Sequence, residues 1–264
     1  MSALPAADAL LRPLAGLARE AGAAVMAVYA SDFSVRGKSD ASPVTAADEQ
    51  AEAIILAGLA RLAPGIPVVA EEAAAAGHVP DIAGGTFFLV DPLDGTREFV
   101  SRNGEFTVNI ALIARGAPVL GVVFAPAVGG AAGRLFAGAV GHGAWVEDAQ
   151  GRRPIACRAE PAEGLTVVAS RSHGDAAALD AFLAGRRVAR LANAGSSLKL
   201  CLIAEGAADL YPRHGRTMEW DIAAGHAVLA AAGGQVWTID DGAPLGYGKP
   251  GFENPHFVAA GLPG

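Results

Sequence analysis

The chain has 264 residues, 52% of them hydrophobic and 18% charged, with 34 glycines and 16 prolines spread along it, so it suffices for a large buried core and excludes a disordered or low-complexity polymer. A formal net charge of −7, with no dense cluster of Lys and Arg, excludes a surface built to track nucleic-acid polymers. Cys157 and Cys201 are the only cysteines, and their separation argues for small buried residues rather than a disulfide framework or zinc site.

The first predicted element is an amphipathic helix in which Leu10, Leu11, Leu14, Leu17, Ala18, Ala21, Val25 and Val28 recur at helical spacing. Its apolar run Ala21 to Ala30 falls well short of the roughly 20 residues needed to cross a bilayer. Asp8, Arg12, Arg19 and Glu20 interrupt the pattern a signal peptide would show. A cytoplasmic protein without a transmembrane segment is therefore expected, with peripheral membrane association left open. Gly37 to Pro43 reads as a polar turn, and a second helix starts near Thr45, a candidate cap, and stops at Pro64 and Gly65.

From Ile66 the pattern changes to short β-rich runs: 67–70, 86–90, 106–113, 119–124 and 134–137. Their spacing predicts a mostly antiparallel sheet built from hairpins, with a turn at Gly116, Ala117 and Pro118. After Cys157 strands alternate with helices: strands at 165–169, 187–192, 208–211 and 235–239, and helices at 176–183, 197–205 and 221–232. The fold class expected is α/β, with an α+β N-terminal lobe over residues 1–155 and an α/β C-terminal lobe over residues 156–264.

The segment Phe87 to Phe99, FFLVDPLDGTREF, carries the most chemistry. An apolar strand ends at Asp91, Pro92 breaks its ladder, and Asp94, Gly95 and Thr96 follow in a tight turn. Two carboxylates facing one point offer the hard oxygen ligands that suit Mg²⁺ or Mn²⁺, and the Leu93 carbonyl is a further candidate. Gly95 allows close backbone approach to a phosphate, and Thr96 offers a hydroxyl. Asp-Pro and Asp-Gly are also common turn formers, but further acids accompany them: Glu71 and Glu72 end another strand-like run, and Asp221 opens an apolar helix, where it also suits an N-cap.

These residues fall in motifs that run in order along nearly the whole chain: SPVTAAD at 42–48, AEE at 70–72, DPLDGT at 91–96 and EWDIAAGHAVLAAAGG at 219–234. In them the chain resembles the inositol monophosphatase-like family of lithium-sensitive, magnesium-dependent phosphatases. The resemblance implies a layered αβαβα sandwich in which Glu71, Asp91, Asp94, Asp221 and the Leu93 carbonyl hold two or three Mg²⁺ ions, with Mn²⁺ a substitute. It implies that Asp48 and Thr96 aim the attacking water and makes Glu71 a further catalytic candidate. Within the family, REF at 97–99, RNGEFTVNIALI at 102–113 and GSSLKLCLIAEGAADLYPR at 195–213 resemble the 3'(2'),5'-bisphosphate nucleotidases. That branch implies hydrolysis of adenosine 3',5'-bisphosphate to AMP and phosphate in sulfur metabolism.

Substrate contacts are then expected from Leu93, Asp94, Gly95, Thr96 and Asp221, with a second phosphate held by Ser196 and Ser197 at a predicted helix start, by Lys199 and by Arg213. Lys199 reads equally well as a solvated helix residue. His142, His214 and His226 are expected to be structural, because magnesium prefers oxygen. Two departures stand out: Ala70 precedes the acidic pair, and Glu219 adds a negative charge where many nucleotidases carry an aliphatic residue. The alternatives are an inositol monophosphatase or related sugar-phosphate phosphatase, and a non-catalytic nucleotide sensor. Monomer and homodimer both remain open.

Overall fold

The computed structural model describes residues 7–31, 35–37, 43–170 and 176–262. The chain opens with α1 (Ala7–Tyr29), a hairpin of β1 (Val35–Gly37) and β2 (Pro43–Thr45), and α2 (Ala46–Leu62). The first helix buries Leu10, Leu11, Leu14, Leu17, Ala18, Ala21 and Val25, the stripe its 3.6-residue period predicts. The hairpin pairs Gly37 with Pro43, while the turn between them and the Thr45 side chain fall outside the described residues. Among the described residues no helix is long and apolar enough to cross a membrane.

Next come β3 (Val68–Ala70), the short helix α3 (Glu71–Ala75), β4 (Thr86–Asp94), the short helix α4 (Thr96–Val100), β5 (Thr107–Ala114), β6 (Ala117–Ala125), β7 (Arg134–Ala139), β8 (Gly143–Asp148) and β9 (Gly151–Ile155). Strands β3 to β9 form one seven-stranded sheet in sequence order, antiparallel except for the parallel pair β3 and β4. The expected turn at Gly116 sits one residue earlier. Arg115 and Gly116 both have positive φ, 53° and 76°, as a two-residue hairpin loop requires, while Ala117 and Pro118 already pair with Ala114 and Ile113.

The remainder contains β10 (Leu165–Ser170), α5 (Ala176–Leu183), β11 (Val188–Ala194), α6 (Leu198–Ala204), β12 (Leu210–Arg213), α7 (Glu219–Ala231), β13 (Gln235–Thr238), a 3₁₀ turn at Pro250–Phe252, and β14 (Phe257–Ala260). Its five strands are ordered β11-β10-β12-β14-β13. The first three run parallel, as βαβ units do, but β14 inserts antiparallel between β12 and β13.

Strand alternation divides the core. Phe88, Val90, Ile110, Leu112 and Val122 face α1 and α2 on one side of the large sheet. Phe87, Leu89, Ala111, Ile113 and Val123 face the opposite side, in one core with α6, α7 and the inner face of the small sheet. Leu165, Val167, Leu210 and Val258 on the outer face pack against Leu179, Phe182 and Leu183 of α5. The result is five layers, αβαβα, with α6 and α7 as the central filling.

Candidate active site

Strand β4 positions the two central acids. On a regular strand, residues three apart point to opposite faces. Here Asp91 pairs with Asn109 and Asp94 with Thr107, so three steps along β4 match two along β5 and the extra residue is absorbed as a bulge. The bulge brings both carboxylates to one cavity. The sequence predicts a strand ending at Asp91 and a tight turn; instead the strand continues through Asp94. Pro92, which has no N–H for the ladder, falls within the bulge. Gly95 follows with φ 93°, a left-handed conformation that only glycine adopts without strain, and starts α4.

The cavity measures about 340 Å³ and is bounded by both sheets and the filling layer. Glu71, Asp91, Asp94 and Asp221 line it, together with Leu93, Gly95 and Thr96. Glu71 is the first residue of α3, whose start is fastened by the Glu52 carboxylate from α2, accepting the Glu72 and Ala73 amides at 2.8 and 2.9 Å. Asp221 stands at the third position of α7 rather than at its cap, and its Oδ2 accepts the Met218 amide at 2.8 Å, closing a box around the helix start. The Asp91 carboxylate accepts the Leu93 amide at 3.0 Å, and the Thr96 hydroxyl donates to the Leu93 carbonyl at 3.4 Å. Asp48 is fully buried in the first turn of α2, near enough for its charge to act on Asp91, and is not among the residues that line the cavity.

These acids crowd one another. Burial, then the like charges of Glu71, Asp94, Asp221 and Asp48, hold Asp91 well above the ordinary carboxylate range. Burial and the charges of Asp94 and Glu71 do the same for Asp221. Asp94 is pushed up to about 6 by burial, against the counter-charge of Lys199. Among the described residues no group of three or more acids, histidines or cysteines is placed, as it stands, to hold a metal ion. The carboxylates line an open cavity, which leaves positions for water and substrate oxygens. An all-oxygen set of mutually repelling carboxylates fits a hard divalent cation, whose charge reverses the local field.

The same cavity carries basic side chains, with Lys199 acting on Asp94 and Arg213 on Asp221. Lys199 and Arg213 line it, 6% and 7% exposed, and Arg97 and Arg216 stand at its rim. Lys199 is thus no solvated helix residue. Burial brings its pKa down to about 8 in spite of Asp94 nearby, and its ammonium donates to the Ala194 and Ser196 carbonyls. Arg213 donates from Nε to Gly215 O at 3.1 Å and from Nη2 to Arg216 O at 3.0 Å, which curls the following loop against the cavity.

Ser196 and Ser197 line the wall, but α6 begins only at Leu198. The Ser197 hydroxyl donates to Asn109 Oδ1 at 2.7 Å and its amide bonds the Asp94 carboxylate, so neither is open to a phosphate. Ser196 keeps its place with φ 48°, a left-handed conformation uncommon for a non-glycine residue. The concern over Glu219 is resolved by packing. It is fully buried, accepts the Gly248 and Lys249 amides at 2.8 and 2.9 Å and pairs with Lys249 Nζ at 2.7 Å, so its charge is neutralised away from the cavity.

His226 is buried against the Tyr247 hydroxyl at 2.8 Å, with burial lowering its pKa to about 4, and His142 is exposed. Both cysteines are buried and free. Sequence reasoning missed Glu52, Glu98, Thr107, Asn109, Tyr211 and Thr217 around the site. Of these Glu98, Thr107, Asn109 and Tyr211 lie inside the runs at 97–99, 102–113 and 195–213 and carried a local signal, whereas Glu52 and Thr217 carried none.

The model of the inositol monophosphatase family matches residues 7–260. A 3'(2'),5'-bisphosphate nucleotidase CysQ of Escherichia coli O157:H7 is 48% identical over 253 residues, covering 94% of this chain and 98% of the relative. The CysQ of Salmonella typhimurium is 47% identical over 250 residues, covering 92% and 98%. Among solved structures, CysQ from Bacteroides thetaiotaomicron, described as a bacterial member of the inositol monophosphatase family, superposes with a TM-score of 0.78 at 35% identity, over 95% of this chain and 97% of that one. An inositol monophosphatase from Anabaena gives 0.75 at 27% identity, over 96% and 90%. With a layered sandwich, an acid-lined cavity and near-full-length similarity all in agreement, the chain belongs to the inositol monophosphatase family of metal-dependent phosphatases.

Proposed function

We propose that this protein is a 3'(2'),5'-bisphosphate nucleotidase that hydrolyses adenosine 3',5'-bisphosphate to AMP and phosphate. The observation that carries this reading is the mixed charge of the cavity, which Lys199 and Arg213 line together with four carboxylates. A substrate with two phosphates on one ribose suits such a cavity, one phosphate for the carboxylates and the cations they would hold, the other for the basic side chains. The 47–48% identity to relatives named as that nucleotidase supports the same reading.

Glu71, Asp91, Asp94, Asp221 and the Leu93 carbonyl are the groups that would hold Mg²⁺, two or three ions, with Mn²⁺ as a substitute. Bound there, the ions would lower the pKa of a water and offset charge on the leaving oxygen. The chain's own residues supply the rest. Asp48 and Thr96 aim the attacking water, a task that depends on geometry more than on basicity. Gly95, free of a side chain, lets the backbone come close to the reacting phosphate. Arg213, with its planar fork, and Lys199, as a point charge, hold the second phosphate.

This reading is tested by phosphate release with Mg²⁺ present. The kcat/KM for adenosine 3',5'-bisphosphate is expected to exceed that for inositol 1-phosphate by about 100-fold, the worth of about 3 kcal/mol in charge-assisted contacts to a second phosphate. The reverse order would assign the site to inositol or sugar phosphates. Tight nucleotide binding without turnover would assign it to a sensor.

A further inference from the structure

We propose that Ser197 is a positioning residue that sets Asp91 and Asp94 relative to the C-terminal half of the chain, acting through Thr107 and Asn109. This inference rests on the reading of the carboxylate cluster as a divalent-cation site. Its starting point is the register of the bulge, where Asp91 lies opposite Asn109 and Asp94 opposite Thr107. The two residues that face the acids across the ladder are also the two that hold Ser197. Its hydroxyl donates to Asn109 Oδ1 at 2.7 Å and lies 3.1 Å from Thr107 Oγ1. Its amide bonds the Asp94 carboxylate itself.

All three polar side chains are buried: Thr107 at 0%, Asn109 at 1% and Ser197 at 2% exposure. In so dry a setting each hydrogen bond is strong and each missing partner costly, so the group has one favoured arrangement. The Asn109 side-chain nitrogen has no hydrogen-bond partner among the described residues. A buried donor left open directly across from Asp91 is difficult to explain as packing alone. Cross-strand side chains on one face lie about 5 Å apart at Cβ, so this donor stands beside Asp91, where a water or cation-bound oxygen next to the carboxylate could take it up.

Ser197 immediately precedes α6, in the layer beneath the large sheet, whereas Asp91, Asp94, Thr107 and Asn109 belong to that sheet. The hydroxyl therefore fastens β5, the neighbour that pairs with the acid-bearing strand, to the half of the chain that supplies Asp221, Lys199 and Arg213. Residues that orient ligands from behind act on cation affinity more than on substrate affinity. That split is the signature to measure.

The test uses the full-length protein stripped of metal, with Mg²⁺ binding followed by calorimetry and by the rise in Tm on Mg²⁺ addition. In Ser197→Ala the Mg²⁺ Kd is expected to rise about tenfold, and the Mg²⁺ concentration for half-maximal phosphate release to rise in parallel, while KM for substrate at saturating Mg²⁺ changes less than about twofold. Thr107→Val keeps the shape, removes the hydroxyl and is expected to move Mg²⁺ affinity in the same direction. Thr107→Ser keeps the hydroxyl and is expected to restore it. Wild-type Mg²⁺ affinity in both Ser197→Ala and Thr107→Val would overturn the inference while leaving the cation site standing. A wild-type protein that binds no Mg²⁺ would overturn the cation site itself, and this inference with it.

Discussion

Replacing Asp94 with Asn is expected to lower kcat by about 10³-fold or more while making the metal-stripped protein more stable. The loss follows from removing a charged donor from the carboxylates that line the cavity. The gain follows from crowding, because Asp94 is among the causes that raise Asp91 and Asp221. For Asp94 the ordinary value is 3.8 and the folded value about 6, so the folded chain keeps its proton across that window and the unfolded chain does not. A carboxyl raised on folding makes stability fall as pH rises through the window, and the deficit persists above it.

In EDTA, wild-type Tm is therefore expected to lose more between pH 4 and pH 7 than that of Asp94→Asn, the difference isolating this group from others that titrate alongside it. At pH 7 the variant is expected to be more stable by about 1 kcal/mol, less than the pKa shift alone implies, because Lys199 loses its counter-charge. Mg²⁺ is expected to restore the wild type and to affect the variant weakly. A folded Asp94→Asn protein with full activity and an unchanged Mg²⁺ response would remove Asp94 from the cation site.

The chemistry was legible in the sequence because Asp91, Asp94 and Glu71 stand at the ends of apolar strand-like runs and Asp221 at the start of an apolar helix. Most of the layered core was legible for the same reason, since periods of two and 3.6 residues report which face is buried. What local pattern does not carry is register and long-range partnership. The bulge that aims Asp94 depends on pairing with β5, and Glu52 reaches α3 from an earlier helix. Lys199 looks solvated in a stretch that gives no sign of the sheet above it. Glu219 looked misplaced because Lys249 and two amides, thirty or so residues onward, neutralise it. The strands β8, β9 and β14 were missed because the glycine, arginine or short loop around each obscures their alternation.

Gly121 is a position where packing decides function without any local signal. It lies on β6 beneath α7, and a methyl group there would stand 2.3 Å from the Ala224 carbonyl oxygen, 2.9 Å from Ala224 Cα and 2.8 Å from Ala227 Cβ. Two of those atoms are backbone and cannot turn aside. Gly138 on β7 meets the same helix farther along, at Ala231 Cβ and Val228 Cα, so α7 rests on glycine at two points. In Gly121→Ala the helix must lift by about 1 Å, which is expected to cost about 3 kcal/mol in chemical denaturation. Asp221, one helical turn before Ala224, is carried with it, away from Asp91 and Asp94 on the sheet. A misplacement of about 1 Å is expected to lower kcat about 100-fold and to weaken Mg²⁺ binding, although every carboxylate remains. Gly16→Ala provides the contrast: Gly16 lies in α1 with nothing within 4 Å of the added carbon, so gains of about 0.5–1 kcal/mol in stability and unchanged kcat are expected. A folded Gly121→Ala enzyme with native kcat and Mg²⁺ affinity would show that the seat of α7 on the sheet does not determine where Asp221 acts. Loss of both in a protein that remains folded ties the smallest side chain in the sheet to the most highly charged part of the cavity.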